Sequence, residues 1–214
     1  MPSSNTLEQL LSARGDLWRG RQRPPVPSIS TGRAALDQQL PGGGWPRGKL
    51  IELLPERVGV GEMELLLPCL AEQTRQGLPV LFLAPPLIPC PQSLVRHKLD
   101  LTRLLIVREQ QYTFWAAEQC LKSGLCGAIV AWPASADVRE RSVRRLQLAA
   151  ENGQAPVFLC YAPGCKPPAS LAALRLAIRT GGALDVLRGQ RGKSPDTIRL
   201  NASNVVSLTT RARS

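Results

Sequence analysis

Short apolar runs alternate with amphipathic stretches along the middle of the chain. Continuous apolar runs are typical of strands that are buried on both faces of a sheet. Such runs occupy residues 79–84, 127–132 and 156–162, and the predicted strands at 50–54 and 103–107 are apolar except for Glu52 and Arg103. The spacing of apolar residues between the runs predicts helices over 62–76, 91–98, 111–123 and 137–151. This alternation predicts an α/β fold, with a mostly parallel twisted sheet and helices on both of its faces.

The pattern changes after Pro168. Residues 174–179 alternate apolar and basic side chains, and Gly181-Gly182 separates them from a second segment at 183–188. This arrangement predicts an antiparallel C-terminal hairpin. Residues 197–200 are predicted to form a last edge strand.

The two ends of the chain have a different character. Residues 5–19 have the spacing of a short amphipathic helix, and a basic, proline-rich linker follows it. The C-terminal end is polar. We therefore divide the chain into an N-terminal helix and linker (1–28), a core (29–200) and a disordered tail (201–214).

The composition is that of a protein with an aliphatic core and no membrane span. Of the 214 residues, 43% are hydrophobic but only 4% are aromatic, so the core must be aliphatic. No apolar run approaches the roughly 18 residues of a membrane span, and the N-terminus lacks the pattern of a secretory signal. We expect a cytoplasmic protein.

The net charge of +11 favours an acidic protein partner or nucleic acid. Contact with nucleic acid would place the protein at the nucleoid.

The cysteines do not have the spacing of a metal site. There are six cysteines and one histidine, with no C-x-x-C pair. Most of the cysteines lie in apolar segments, which favours buried, reduced thiols in the cytosol. We expect no metal.

A loop at residues 54–61 connects an apolar strand to a helix. This arrangement holds nucleotide phosphates through backbone N–H groups and the helix dipole, and its working pattern is G-x-x-x-x-G-K-[ST]. The chain has Val60 where the lysine is needed and Gly61 where the Mg²⁺-binding hydroxyl is needed. No lysine lies between Lys49 and Lys98 to replace it.

The same region resembles the core of RecA. The matching residues keep the order and spacing of that family: Ile29-Ser30-Thr31-Gly32, Leu36-Asp37, Gly43-Gly44, Ile51-Glu52 and Pro55-Glu56. The resemblance spans about residues 29–188 and implies a RecA-like core. It also implies that Trp132 replaces the Mg²⁺-binding aspartate and Pro86 replaces the glutamate that activates water. Because phosphoryl transfer depends on metal and cationic stabilisation, we expect no ATP hydrolysis and no bound cofactor.

Two groups of RecA-like proteins lack these residues, the ImuA accessory proteins and the SulA division inhibitors. This chain is more similar to ImuA, because SulA-type chains are shorter and lack a basic C-terminal region. The resemblance implies a non-catalytic adaptor of the SOS response to DNA damage. It would act in mutagenic translesion synthesis with an ImuB-type Y-family homologue, an error-prone replicative-type polymerase and RecA.

Three alternatives stay open. A SulA-like inhibitor would bind the tubulin-like division GTPase. An active ATPase would need an unconventional phosphate loop. A plain DNA-binding module would lose affinity steeply as salt rises.

Basic side chains provide the candidate surface for a partner or nucleic acid. The candidates are Arg141, Arg144, Arg145, Arg188, Arg191 and Lys193. The first three project from one helix, where Glu140 is placed to pair with Arg144 and stabilise the helix instead. Short connections at 133–137 and 163–170 stand where RecA has its DNA-binding loops, so we do not expect a RecA-style filament on DNA.

Overall fold

The structure is a computed structural model that describes residues 27–169, 172–189, 197–200 and 206–209, the last two ranges as backbone only. The helices are α1 (Ala34–Asp37), α2 (Glu62–Arg75), α3 (Pro91–Arg96), α4 (Thr113–Ser123) and α5 (Glu140–Gly153). The strands are β1 (Ser28–Ile29), β2 (Trp45–Pro46), β3 (Leu50–Pro55), β4 (Val80–Leu83), β5 (Leu104–Val107), β6 (Ala128–Ala131), β7 (Val157–Cys160), β8 (Leu174–Ile178), β9 (Ala183–Arg188), β10 (Thr197–Leu200) and β11 (Val206–Thr209). The predicted N-terminal helix at 5–19 lies outside the described residues.

Nine of these strands form one sheet, in the order β5-β4-β6-β7-β3-β8-β9-β10-β11. From β5 to β8 all neighbours are parallel, and from β8 to β11 all are antiparallel. Strands β1 and β2 form a separate antiparallel pair. The α/β fold, with a mostly parallel sheet and an antiparallel hairpin at β8 and β9, is confirmed and is consistent with a RecA-like core.

The central strands supply two cores, one on each face of the sheet. In β4, Val80 and Phe82 pack in the core that contains the buried side of α2. Leu81 and Leu83 pack in the opposite core with α4 and α5. Because successive strand residues point to opposite faces, a strand buried on both faces needs the continuous apolar run that the sequence shows.

Helix α2 runs from Glu62 to Arg75 with Pro68 inside it. Gly32 explains how the proline ring is accommodated there. A Cβ atom added to Gly32 would lie 2.4 Å from the Cβ of Pro68, so only glycine leaves room for this contact.

Two other boundaries differ from the prediction. Helix α5 begins at Glu140, because Ser135–Asp137 forms a separate 3-10 turn. Strand β11 lies within the predicted disordered tail and pairs with β10, so β10 is not the edge strand. Residues 206–209 alternate apolar and polar side chains, which is a strand pattern. The segment is short and lies among polar residues, so its sequence alone favours a tail.

Among the described residues, no helix is both long enough and apolar enough to cross a bilayer.

Candidate functional site

The loop between β3 and α2 lies at the topological centre of the sheet. Strand β3 is flanked by β7 on one side and β8 on the other. The chain that leaves β3 returns in β4 beyond β7 and β6, whereas the antiparallel strands extend the other half. Ligands of open α/β sheets bind at such a switch point, outside the carboxyl ends of the strands.

The backbone of this loop has a conformation that depends on two glycines. Gly59 has φ +73° and Gly61 has φ +113°, both in a region that side chains disfavour. Gly61 is also the N-cap of α2. The loop thus directs backbone N–H groups toward one point at the start of a helix.

The carboxylate of Glu62 occupies that point. Its Oε1 accepts a hydrogen bond from the Gly59 N–H (3.2 Å), and its Oε2 accepts one from the Gly61 N–H (3.2 Å). Glu62 is only 7% exposed. Sequence reasoning missed this residue. Its signal was an acidic residue directly after the second glycine, at the first position of the helix.

Apolar side chains stand where the sequence placed the missing catalytic groups. Val60 is partly buried against the core on the α2 face, and so is Trp132. Trp132 follows β6, and its ring meets that of Phe82 edge-on, with centroids 5.6 Å apart. Pro86 is exposed in the connection after β4. This arrangement offers no ligand for Mg²⁺ at these positions.

Glu56 ties the beginning of the loop to the β8–β9 turn. Its carboxylate accepts hydrogen bonds from the Thr180 N–H (2.8 Å) and the Thr180 hydroxyl (3.1 Å). These bonds lower the pKa of Glu56. Glu56 therefore fixes the loop rather than pointing to a bound group.

The segment from Ile29 to Asp37, which carries part of the resemblance, has a structural role. The Asp37 carboxylate accepts hydrogen bonds from the Ser30 hydroxyl (2.6 Å) and the Thr31 N–H (2.8 Å). These contacts close the turn that leads into α1.

A buried ionic cluster crosses three central strands. Glu52 on β3 has no exposed surface. Its carboxylate accepts hydrogen bonds from the Tyr161 hydroxyl (2.8 Å) and from Nε of Arg175 (2.6 Å). Burial, followed by the charge of Glu52, raises the pKa of Tyr161. The cluster joins β3, β7 and β8 beneath the loop.

The predicted basic surface is only partly assembled. Arg141 and Arg144 are exposed on α5. Arg145 instead forms an ion pair of 2.6 Å with Glu118 of α4, which has 6% of its side chain exposed. Arg188 is exposed at the end of β9, in the antiparallel half of the sheet. Arg191 and Lys193 lie outside the described residues.

The cysteines are less uniformly buried than the sequence suggests. Cys69 and Cys160 are buried, and burial raises the pKa of Cys69 to about 12. Cys90 is exposed, and Cys120, Cys126 and Cys165 are intermediate. All six are free thiols. The prediction of buried thiols is therefore confirmed for two of them.

Strand β5 is an edge of the sheet and exposes apolar side chains. Leu105 is 54% exposed and Ile106 is 39% exposed. The register with β4 pairs Leu105 with Leu81 and Ile106 with Phe82. The two exposed side chains thus lie on opposite faces of the sheet, beside an edge whose backbone groups have no neighbouring strand among the described residues.

The comparisons with known proteins found a partial similarity to one protein. No protein-family model matches the chain. Over 58 residues the chain is 48% identical to Protein RecA from Desulforapulum autotrophicum. The match covers 27% of this chain and 16% of that protein. It supports a relationship to RecA-like proteins at the level of this segment.

Proposed function

We propose that the protein is a non-catalytic, RecA-like adaptor of damage-induced, error-prone translesion DNA synthesis, similar to ImuA. The packing of Val60 and Trp132 against the core supports the proposal that the protein does not hydrolyse ATP. Without a lysine, a metal-binding hydroxyl and an acidic metal ligand, the developing charge of phosphoryl transfer has no stabilising group here.

The proposed partners follow from the resemblance to ImuA. They are an ImuB-type Y-family homologue, an error-prone replicative-type polymerase and RecA. The net charge of +11 also supports non-specific contact with DNA. The exposed arginines Arg141 and Arg144 of α5 are the side chains proposed for that contact.

An adaptor needs a surface that recognises protein, and β5 is the best candidate. An edge strand with exposed apolar side chains can accept a further strand from a partner. Leu105 and Ile106 provide the apolar contacts on the two faces. Exposed Arg103 and Arg108 stand at either end of the strand.

The two flanking arginines indicate which partner fits. If two copies paired antiparallel through Leu105 and Ile106, Arg103 of one copy would face Arg108 of the other. Like charges directly opposite each other destabilise a strand pair. The occupant proposed for β5 is therefore an extended apolar segment of another protein, with an acidic residue at each end.

Two experiments test the proposal. ATP titration in the presence of Mg²⁺ should show no hydrolysis. An affinity pull-down from DNA-damaged cells, with nuclease treatment, should recover polymerase subunits or RecA. Recovery of the tubulin-like division GTPase alone would favour a SulA-like function instead.

A further inference from the structure

We infer that the Glu62 carboxylate occupies the β3–α2 loop, in the place that a phosphate takes in a phosphate-binding loop. The carboxylate holds the loop in its observed conformation without nucleotide. It also prevents phosphate from solution from binding to the loop N–H groups. This role of Glu62 is internal to the fold and does not depend on the partners proposed above.

The first support is the direction of the hydrogen bonds. A phosphate-binding loop offers successive backbone N–H groups to one anion. Here two such groups, those of Gly59 and Gly61, donate to the two oxygens of a single carboxylate at 3.2 Å each. One oxygen for each donor is the arrangement of a bound anion rather than of a solvated side chain.

The second support is the burial of this charge. Glu62 is only 7% exposed, and removing a carboxylate from water is costly unless hydrogen bonds offset the loss. The loop donors and the start of the 14-residue helix α2 supply that compensation. The negative charge also contributes to the raised pKa of Cys160, after the larger effect of burial.

Glu64 is a second acidic residue in the first turn of α2. Its exposure shows that an acidic side chain at the start of this helix is not buried simply because of its position. Its side chain is 69% exposed, and its nearest described cation is Arg33 at 3.7 Å. Both acids lie in the first turn of α2 and both interact favourably with the helix dipole. Only Glu62 turns back into the loop. Glu64 is therefore a matched control, because replacing it removes the same charge from the same turn.

The experiment uses the full chain and three variants, Glu62→Gln, Glu62→Ala and Glu64→Gln. Amide hydrogen exchange at Gly59 and Gly61 is measured for Glu62→Gln, which keeps the size of the side chain. Thermal unfolding of every protein is then compared in inorganic phosphate and in chloride at equal ionic strength. Because phosphate stabilises folded proteins generally, only the difference from wild type is informative.

The inference predicts that exchange at Gly59 or Gly61 becomes about tenfold faster in Glu62→Gln, as expected for loss of a hydrogen bond to a charged acceptor. Exchange in Glu64→Gln should match wild type. Glu62→Ala should gain a phosphate-specific rise in melting temperature that wild type and Glu64→Gln lack. Equal phosphate responses in Glu62→Ala and wild type would overturn the inference. If Glu62→Ala does not fold, unchanged exchange at both glycines in Glu62→Gln overturns it by itself.

Discussion

Glu52 is a charged residue in the middle of the sheet, with no exposed surface. A carboxylate in this position is tolerated only while hydrogen-bond donors compensate for lost water. Arg175 on β8 and Tyr161, which directly follows β7, supply such donors from either side of β3. The cluster therefore couples the two halves of the sheet at the position where the loop begins.

Removing one partner of Glu52 should destabilise the fold strongly. We predict that Arg175→Ala lowers the free energy of unfolding by about 3–5 kcal/mol, because it leaves a buried charge without its cation. Tyr161→Phe should cost about 1–3 kcal/mol for one lost hydrogen bond. Urea denaturation measures both.

Arg179→Ala is the control for the Glu52 cluster. Arg179 pairs with Asp185, but half of its side chain is exposed. Such a pair is worth at most about 1 kcal/mol. Equal losses of stability in Arg175→Ala and Arg179→Ala would contradict a structural role for the buried cluster.

A second prediction at this scale concerns the contact of Gly32 with Pro68. Gly32→Ala places a Cβ atom 2.4 Å from the proline ring in addition to its unfavourable φ of +77°. Gly77→Ala has a similar φ of +81° and open space around the new atom, so it measures the backbone effect alone. We expect roughly 1–2 kcal/mol for Gly77→Ala and a clearly larger loss for Gly32→Ala, by thermal unfolding. Equal losses would show that the proline contact is unimportant.

Residue spacing predicted some of these positions but not their contacts. The spacing of the loop motif singled out Val60, and the resemblance to RecA singled out Trp132 at the end of an apolar strand. Residue spacing did not identify the role of Glu62, which depends on the positive φ angles of the loop. It also did not pair Arg145 with Glu118, because that contact needs α4 and α5 to pack side by side.

At the scale of elements, α5 carries three exposed arginines, of which Arg145 forms an ion pair with Glu118 of α4. We predict that replacing Arg141 and Arg144 with alanine leaves stability within about 0.5 kcal/mol. The same change should weaken binding to double-stranded DNA and reduce its salt slope by about two, one for each lost phosphate contact. Fluorescence anisotropy at several salt concentrations measures this slope.

Arg145→Ala provides the comparison on the same helix. It should cost about 1 kcal/mol of stability, because nearly buried Glu118 loses its partner. An unchanged DNA affinity in the Arg141 and Arg144 variant would remove α5 from the proposed surface.

Strands with a strong apolar pattern could be predicted from the sequence. Strands that form mainly because they pair with a neighbouring strand could not. Strands β4, β6 and β7 have continuous apolar sequences because both of their faces are covered, and β3 has one charged residue, Glu52, in an otherwise apolar sequence. Strand β11 is short and lies among polar residues, so its pairing with β10 has little local signal. Helix α2 contains Pro68, whose ring packs against Gly32 of another segment, a contact that the local sequence does not reveal.

At the scale of the whole molecule, the account predicts that restoring the loop motif is not sufficient for catalysis. We expect no ATP hydrolysis from Val60→Lys with Gly61→Thr, because Trp132 and Pro86 still occupy the metal and water-activating positions. Gly61 has φ +113°, so a β-branched residue should also lower the melting temperature. Measurable hydrolysis in a phosphate-release assay would contradict the assignment of these positions.

The central claim is that the chain is a protein-binding adaptor. Its most direct test is a nuclease-treated affinity pull-down from DNA-damaged cells, comparing wild type with Leu105→Asp, Ile106→Lys. Both side chains are at least partly exposed, so the variant should fold with a similar melting temperature. We predict that wild type recovers Y-family and replicative-type polymerase subunits or RecA, and that the β5 variant loses them. Recovery of only the tubulin-like division GTPase, or equal recovery of the same partners by both proteins, would contradict the account.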